Sequence, residues 1–138
     1  MIWSIADELY HMDHIRLEIS YFEGPFIELI LQHIAGNPST IASTLQWTNI
    51  QCITDSQCKR VWSTSTITAR QQCADTNGVT SCMGDSGGPL TIKQGGVDVL
   101  LGNVSWGHSK CGTTGYPAVY SRNSQPQVNS WIKTNAGI

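Results

Sequence analysis

The stretch Ser81-Cys82-Met83-Gly84-Asp85-Ser86-Gly87-Gly88-Pro89-Leu90 is the most informative part of this chain of 138 residues. Ser86 follows an acid and precedes two glycines, a context that suits a nucleophile on a tight turn. Glycine tolerates backbone angles that other residues resist, and it lets a substrate carbonyl approach the main chain closely. Two backbone N–H groups aimed at one point would then stabilise a developing oxyanion. Ser86 is therefore a candidate nucleophile.

The whole run closely resembles the nucleophile loop of the chymotrypsin-like serine proteases. The resemblance continues in register on both sides of the loop. Leu101-Gly102-Asn103-Val104-Ser105-Trp106-Gly107 is similar to the strand that lines the substrate cleft in that family. The other matching parts are residues 45–46, Cys58, Cys73, residues 78–82, Cys111, residues 117–122 and residues 128–132. The resemblance thus runs from about Ser43 to the C-terminus.

This resemblance implies a mainly β fold. Residues 43–138 would form a partial trypsin-like domain, the second β-barrel of a two-barrel fold, with a C-terminal helix. Residues 1–42 would be an unrelated N-terminal segment of unclear origin, partly helical. The family's first barrel is not found, and no Gly-Trp-Gly strand precedes Leu45, so we expect the second barrel to be incomplete. An open barrel edge invites substitute pairing, and we hypothesise that part of residues 15–34 pairs there.

Local patterns give a coarse map of the elements. Apolar residues recur at helical spacing over residues 4–19, although residues 15–21 also alternate as a strand would. A polar loop is expected over residues 35–44. Val128, Trp131 and Ile132 stand at i, i+3 and i+4, which predicts a C-terminal helix with one packing face. Short strands are expected around residues 45–54, 66–73, 89–94, 97–106 and 117–122, with a hairpin turn at residues 93–97.

The other catalytic groups of the family are harder to find. In the family a histidine takes the proton of the serine, and an aspartate orients the imidazole. Both come from the first barrel, and the family's Ala-Ala-His-Cys sequence does not occur here. Alignment puts His108 on the cleft rim, and residues 12–17, an ordinary amphipathic stretch, only faintly resemble the segment with the aspartate. A serine without a base is a poor nucleophile, and the chain as written shows no evident base.

The resemblance also assigns a specificity pocket. Its base, six residues before the nucleophile, is Thr80, where aspartate would select Lys or Arg by charge. Gly107 keeps one wall open, and Ala118 narrows the other slightly; Ser105 lies on the same cleft strand. The resemblance therefore implies a chymotrypsin-like preference for large apolar residues, with some elastase-like preference as an alternative. These residues would otherwise merely complete a strand and a turn.

Gly84 and Ser86 supply the family's oxyanion-hole N–H groups. The acid between them, Asp85, pairs in the family with an N-terminal amine released by proteolysis. No Ile-Val-Gly-Gly activation sequence occurs here, so no partner for Asp85 is evident in the sequence. Because an unpaired buried carboxylate is costly, we expect a zymogen-like, poorly formed oxyanion hole.

The resemblance pairs four of the five cysteines, as Cys58–Cys73 and Cys82–Cys111. Closing a loop of about 15 residues, as the first bridge does, stabilises by roughly 3 kcal/mol in chain-entropy models. Cys52 is left over, either as a buried free thiol or as a mispaired or intermolecular one. No Cys-x-x-Cys pair indicates zinc, and no metal or other cofactor is expected. His11 and His14 are sufficient for a surface metal but are more simply part of a solvated face.

Charge and hydropathy exclude some classes of function. Residues 1–35 carry six acids and one Arg, whereas residues 36–138 carry four acids and seven Lys or Arg. No basic patch suggests a nucleic-acid partner, and no apolar run approaches the ~20 residues of a membrane helix. The N-terminus does not have the pattern of a signal peptide, yet the family is extracellular. We therefore expect a truncated or spliced chain.

Three interpretations of the function follow. The first is a serine-type endopeptidase of the chymotrypsin family, present as a partial chain, with protein or peptide substrates and protein protease inhibitors as partners. The alternative is a non-catalytic homologue that acts as a binding or regulatory module. The last is an acidic N-terminal module that binds a metal or a partner and is appended to a degenerate barrel. Asn103-Val104-Ser105 is formally a glycosylation sequon, but it lies in the strand leading to the cleft, where a glycan would not fit.

Overall fold

The computed structural model describes residues 27–33, 41–64, 66–75 and 77–137. The helix predicted over residues 4–19 and the pair His11 and His14 lie outside these ranges. Within them the chain is mainly β, as predicted, and it ends in a helix. The strands are β1 (Ile27–His33), β2 (Ile41–Ile53), β3 (Gln71–Asp75), β4 (Pro89–Gln94), β5 (Val97–Trp106) and β6 (Ala118–Ser121); the helices are α1 (Asp55–Trp62) and α2 (Pro126–Ala136).

The six strands form a closed antiparallel barrel in the order β1-β2-β3-β6-β5-β4. We expected the barrel to be incomplete at one edge, and β1 occupies that edge. It pairs with β2 from Ile27 opposite Ile50 to Leu31 opposite Gln46. On its other side it pairs with β4, with Glu28 opposite Thr91. Part of residues 15–34 therefore pairs at the edge, as the sequence hypothesis proposed.

Sequence reasoning missed helix α1. Thr54 begins it with a capping box: Thr54 Oγ1 accepts from the Gln57 N–H at 3.2 Å, and Gln57 Oε1 accepts from the Thr54 N–H at 2.8 Å. Threonine followed three residues later by glutamine is a recognisable helix start, and Thr54 was instead taken as the end of a strand. Strand β3 begins later than predicted, at Gln71, and β2 begins inside the predicted polar loop, at Ile41.

The core divides between the barrel interior and the space beneath α1. The barrel interior is filled by side chains from five of its strands: Ile50, Ala74, Leu90, Ile92, Val99, Leu101, Val104, Ala118 and Tyr120. A second cluster joins Cys58 of α1 to Ile67, Cys73 and Val119. Because Val119 and Tyr120 are neighbours on β6, this strand separates the two clusters and contributes to both.

Three contacts attach α1 to the barrel. The predicted disulfide Cys58–Cys73 is confirmed, and it joins the helix to β3. Arg122, just after β6, forms an ion pair with Asp55 in the first helical turn. At the other end of α1, the indole N–H of Trp62 donates to the Pro117 carbonyl at 2.9 Å. The helix is thereby fixed at both ends against the chain on either side of β6.

Helix α2 begins at Pro126, and the residue before it, Gln125, is its N-cap. The Gln125 side chain accepts hydrogen bonds from the N–H groups of Gln127 and Val128. The predicted packing face is partly wrong. Trp131 is 67% exposed, whereas Asn129 is buried. Val128 and Ile132 are half-buried, so the helix packs through a narrower apolar stripe than the i, i+3, i+4 pattern indicated.

Amide exchange tests the closure of the barrel. We expect the paired amides within residues 27–31 to exchange at least about 100-fold more slowly than those of the Gly95-Gly96 turn, because the ladder bonds must open first. Leu29 is paired on both sides. Leu29→Pro should lower the free energy of unfolding by about 1–3 kcal/mol, because proline cannot donate to the ladder and leaves a backbone group unpaired. Exchange throughout residues 27–31 as fast as in the turn would exclude the closed barrel.

Candidate active site

The loop that carries Ser86 is fixed to β5 by its backbone. The N–H of Gly87 donates to the Val104 carbonyl at 2.9 Å, and the N–H of Val104 donates to the Gly88 carbonyl at 2.9 Å. Gly84 and Gly87 adopt φ angles of 99° and 85°, where a side chain would be strained. Ser86 lies between them and is exposed. The loop is thus rigidly attached after the serine, and the serine itself faces solvent.

Asp85 is only 2% exposed, and its carboxylate is hydrogen-bonded within the loop. Asp85 Oδ2 accepts from the Cys82 N–H at 2.7 Å. The Asp85 N–H in turn donates to the Cys82 carbonyl at 3.0 Å, and the Gly88 N–H donates to the Asp85 carbonyl at 2.9 Å. The loop backbone therefore supplies a hydrogen-bond partner for Asp85 that the sequence did not indicate. A charge-assisted bond to a backbone N–H offsets part of the cost of burying the carboxylate.

Thr80 lies where two loops meet. Thr80 Oγ1 accepts from the Gly112 N–H at 3.1 Å, and the predicted disulfide Cys82–Cys111 is confirmed beside this bond. Gly78 and Gly112 approach each other so closely that a Cβ on Gly78 would lie 2.8 Å from the Gly112 oxygen. The segment before the nucleophile loop and the segment after β5 therefore form one continuous wall.

Two other predicted pocket residues lie close together. A Cβ on Gly107 would lie 3.6 Å from Ala118 Cα, so the two residues face each other at ordinary contact distance. Ala118 is buried, and Ser105, two residues before Gly107, is exposed. The structure thus joins Thr80 to Gly112 and Gly107 to Ala118. The roles of these residues in binding stay predictions.

Tyr120, which the sequence did not single out, lies beneath these walls. It is fully buried on β6. Burial raises the pKa of its hydroxyl, and the neighbouring Ser81 offsets part of the rise. Among the described residues, no atom, including those of Ser81, meets hydrogen-bond geometry with this hydroxyl. Burial therefore favours the neutral form of the Tyr120 hydroxyl beside Ser81.

Four rings form a cluster beside the cleft strand, and sequence reasoning missed this cluster. Trp62 contacts Trp106 edge-on, with ring centroids 5.1 Å apart, and contacts Tyr116 at 5.5 Å. Tyr116 in turn contacts His108 at 4.5 Å. Trp62 belongs to the helix that was not predicted, so no signal in the sequence linked it to the cleft.

His108 is engaged in its own turn. Its Nδ1 accepts from the Lys110 N–H at 3.1 Å and lies 3.2 Å from the Thr113 hydroxyl. The same ring nitrogen also lies 3.2 Å from the Lys110 carbonyl oxygen. His108 is therefore bound to the 110–113 turn.

Comparison with known proteins agrees with this geometry. The Trypsin family profile matches residues 33–132. Trypsin delta of Drosophila melanogaster is 41% identical over 102 residues, which cover 71% of this chain and 37% of that protein. Trypsin 5G1 of Aedes aegypti is 35% identical over 105 residues, which cover 74% of this chain and 37% of that protein. The chain belongs to the trypsin family.

This membership confirms the resemblance that the nucleophile loop indicated. The chain spans 37% of the length of these relatives. The family match begins at residue 33, ahead of the domain boundary predicted at Ser43. The division of the chain at residues 42 and 43 stays a prediction. Among the described residues, no group of three His, Cys, Asp or Glu is placed to hold a metal ion. No helix in the described ranges is long and apolar enough to span a membrane.

Substitution of Gly78 tests the contact between the two loops. We compare Gly78→Ala with Gly115→Ala, because both glycines have positive φ, 87° and 81°, but a Cβ on Gly115 meets nothing within 4 Å. Gly115→Ala should cost about 1–2 kcal/mol of stability from φ strain. Gly78→Ala should cost about 1–3 kcal/mol more, because its Cβ meets the Gly112 carbonyl. Equal losses of unfolding free energy in the two variants, measured by urea denaturation, would contradict the close approach of the loops.

Cys52 provides a test of the barrel interior. It is a free, half-buried thiol packed against the core. Burial raises its pKa to about 11, and Arg122 offsets part of the rise. Because the thiolate is the reactive form, alkylation of the folded chain at pH 8 should be about 100-fold slower than that of a thiol with the ordinary pKa. An alkylation rate that stops rising with pH near pH 9 would contradict this environment. The variant Cys52→Ser, which has no free thiol at this position, provides the unlabelled control.

Proposed function

We propose that this chain carries the nucleophile and the specificity pocket of a secreted serine endopeptidase of the chymotrypsin type. The observation that carries the proposal is the exposed Ser86 on a loop that is hydrogen-bonded to Val104 on β5. Membership in the trypsin family supports it. The chain covers 37% of the matched relatives, so the activity of a whole protein belongs to the proposal too.

The proposed chemistry is acyl transfer to Ser86. The Ser86 oxygen attacks the carbonyl carbon of the scissile peptide while a histidine takes the hydroxyl proton. The N–H groups of Gly84 and Ser86 would receive the developing oxyanion. The histidine then gives the proton to the leaving amine, the C–N bond breaks, and water releases the acyl group from Ser86 by the same steps.

The base in this proposal comes from outside residues 43–138. His108 is a poor candidate, because its Nδ1 is held by contacts to Lys110 and Thr113 within its own turn. We propose that the histidine and the aspartate belong to a segment equivalent to the part of the relatives that this chain does not match. A zymogen-like oxyanion hole, in which the N–H groups of Gly84 and Ser86 do not yet converge on one point, remains part of the proposal for the chain by itself.

We propose a preference for large apolar residues, such as Phe, Tyr, Leu or Met, at the cleaved bond. Thr80 supports this preference because it is uncharged and its hydroxyl already accepts from the Gly112 N–H. A basic side chain in the pocket would find no carboxylate at that position. Gly107 leaves room on the opposite wall, where Ala118 is the facing residue. The relatives carry the name trypsin, and this pocket is where we expect the present chain to differ.

An extracellular setting and protein partners complete the proposal. One disulfide joins α1 to β3, and the other joins Cys82 of the nucleophile loop to Cys111. Disulfide bonds persist in oxidising compartments. Protein or peptide substrates and protein protease inhibitors are the expected partners, because both would insert a side chain into the same pocket.

Covalent labelling tests the proposal. Peptidyl phosphonates bearing Phe or Lys at the position next to the phosphorus would be applied to the full chain, alone and with the N-terminal part of Trypsin delta fused upstream. We expect labelling in the fusion that Ser86→Ala abolishes and that Ser130→Ala, a change of an exposed serine on α2, leaves intact. The Phe probe should react at least about tenfold faster than the Lys probe, which corresponds to about 1.4 kcal/mol.

The chain alone should not label above its Ser86→Ala form, since the proposed base belongs to the segment that this chain does not match. Labelling of the chain alone would mean that a residue within these 138 acts as base. A folded fusion that shows no labelling dependent on Ser86 would overturn the endopeptidase proposal. It would favour the alternative, a non-catalytic homologue that acts as a binding or regulatory module.

A further inference from the structure

Asn103 on β5, Ser121 at the end of β6 and Asn123 just after β6 form a closed ring of hydrogen bonds beside the nucleophile loop. The Asn103 backbone N–H donates to Ser121 Oγ at 2.9 Å, and the Ser121 hydroxyl donates to Asn123 Oδ1 at 3.0 Å. Asn123 Nδ2 completes the ring by donating to Asn103 Oδ1 at 3.2 Å. One bond leaves this ring: Asn103 Nδ2 donates to the Gly87 carbonyl at 3.0 Å.

The ring occupies an interior position. Asn123 is 2% exposed, and Asn103 and Ser121 are half-buried. Polar groups at such positions cost free energy unless their hydrogen bonds are made, and apolar side chains of similar size would fill the space without that requirement. The ring orients the Asn103 amide, because Asn123 donates to its oxygen and leaves its nitrogen directed at the loop. Packing alone therefore does not account for these residues.

The contact with Gly87 completes the attachment of the loop. Gly87 has no side chain to anchor it, and a Cβ there would meet nothing within 4 Å. Its N–H is held by the Val104 carbonyl, and its carbonyl is held by Asn103 Nδ2. Both peptide groups that flank Gly87 are thus fixed by consecutive residues of β5. The peptide group on the N-terminal side of Gly87 begins at Ser86, so its orientation sets the direction of the serine.

We propose that Asn103 is a positioning residue for the nucleophile loop, which it holds through the Gly87 carbonyl, and that Asn123 and Ser121 orient its amide for this contact. The consequence for catalysis rests on the proposed role of Ser86 as nucleophile. The same contact uses the amide nitrogen of the Asn103-Val104-Ser105 sequon. A glycan on that nitrogen would displace the Gly87 carbonyl.

Two isosteric variants separate this role from a general contribution to folding. Asn103→Asp keeps an acceptor for Asn123 but has no donor for the Gly87 carbonyl while its carboxyl is ionised. Asn123→Asp keeps the acceptor for Ser121 but loses the donor that orients the Asn103 amide, so it weakens the Gly87 contact only through that orientation. Each variant introduces one carboxylate into the same ring, so the two are matched in charge, and only the first removes the donor to the Gly87 carbonyl itself.

Amide exchange in the full chain is the deciding measurement. Rates at Gly87 and Gly88 are compared with the rate at Asn129, whose N–H bonds to the Gln125 carbonyl in α2. We expect Asn103→Asp to raise exchange at Gly87 and Gly88 about tenfold beyond any change at Asn129, as for the loss of one net hydrogen bond. Asn123→Asp should raise the exchange rates at Gly87 and Gly88 by a smaller factor. Lowering the pH should reverse the Asn103→Asp effect, because the protonated carboxyl regains a donor.

Equal changes in the two variants, or an Asn103→Asp effect that does not reverse with pH, would overturn the proposal. If either variant fails to fold, the uncharged pair Asn103→Ala and Asn123→Ala decides the comparison by the same rates. Phosphonate labelling of Ser86 in the fusion adds a separate arm. A wild-type fusion that does not label contradicts the endopeptidase function, whereas the exchange rates decide the role of Asn103 independently.

Discussion

The pair of backbone hydrogen bonds between Val104 and the glycines after Ser86 is the constraint on which the site depends. Val104 accepts from Gly87 and donates to Gly88, so the loop joins β5 as a short extension of the sheet. The side chain of Val104 is buried among the barrel residues. The position of an exposed nucleophile is thereby determined by the barrel interior, and the site is as stable as the sheet that carries it.

That sheet depends in turn on how the barrel is closed. Strand β4 begins at Pro89, directly after the loop, and lies between β5 and β1. Without β1, β4 would be an edge strand with backbone groups open to other chains. Disulfide Cys82–Cys111 and the Gly78–Gly112 contact stabilise the loop from the other side. The described part of the chain thus holds the serine between a closed barrel and a cross-linked wall.

Much of this arrangement could be predicted from the sequence, because loops with special backbone geometry have strict residue requirements. Gly84 and Gly87 indicate a tight turn around Ser86, and the resemblance to the chymotrypsin-like proteases supplies the pairing of Cys82 with Cys111. The pairing of β1 followed from the physical cost of an open edge. Helix α1 was missed although Thr54 and Gln57 form a capping box, since the strand pattern was extended through Thr54. The Asn103–Asn123 ring could not be predicted, because its members meet only through the register of β5 and β6.

Scalar couplings across hydrogen bonds in the isolated 138-residue chain would test most directly the claim that the barrel fixes the loop. The account predicts detectable couplings from the Gly87 nitrogen to the Val104 carbonyl carbon and from the Val104 nitrogen to the Gly88 carbonyl carbon. Both should be present without any added base or upstream segment. Absence of both couplings, while those between β4 and β5 are observed, would mean that the loop is not held by the barrel and would contradict the account.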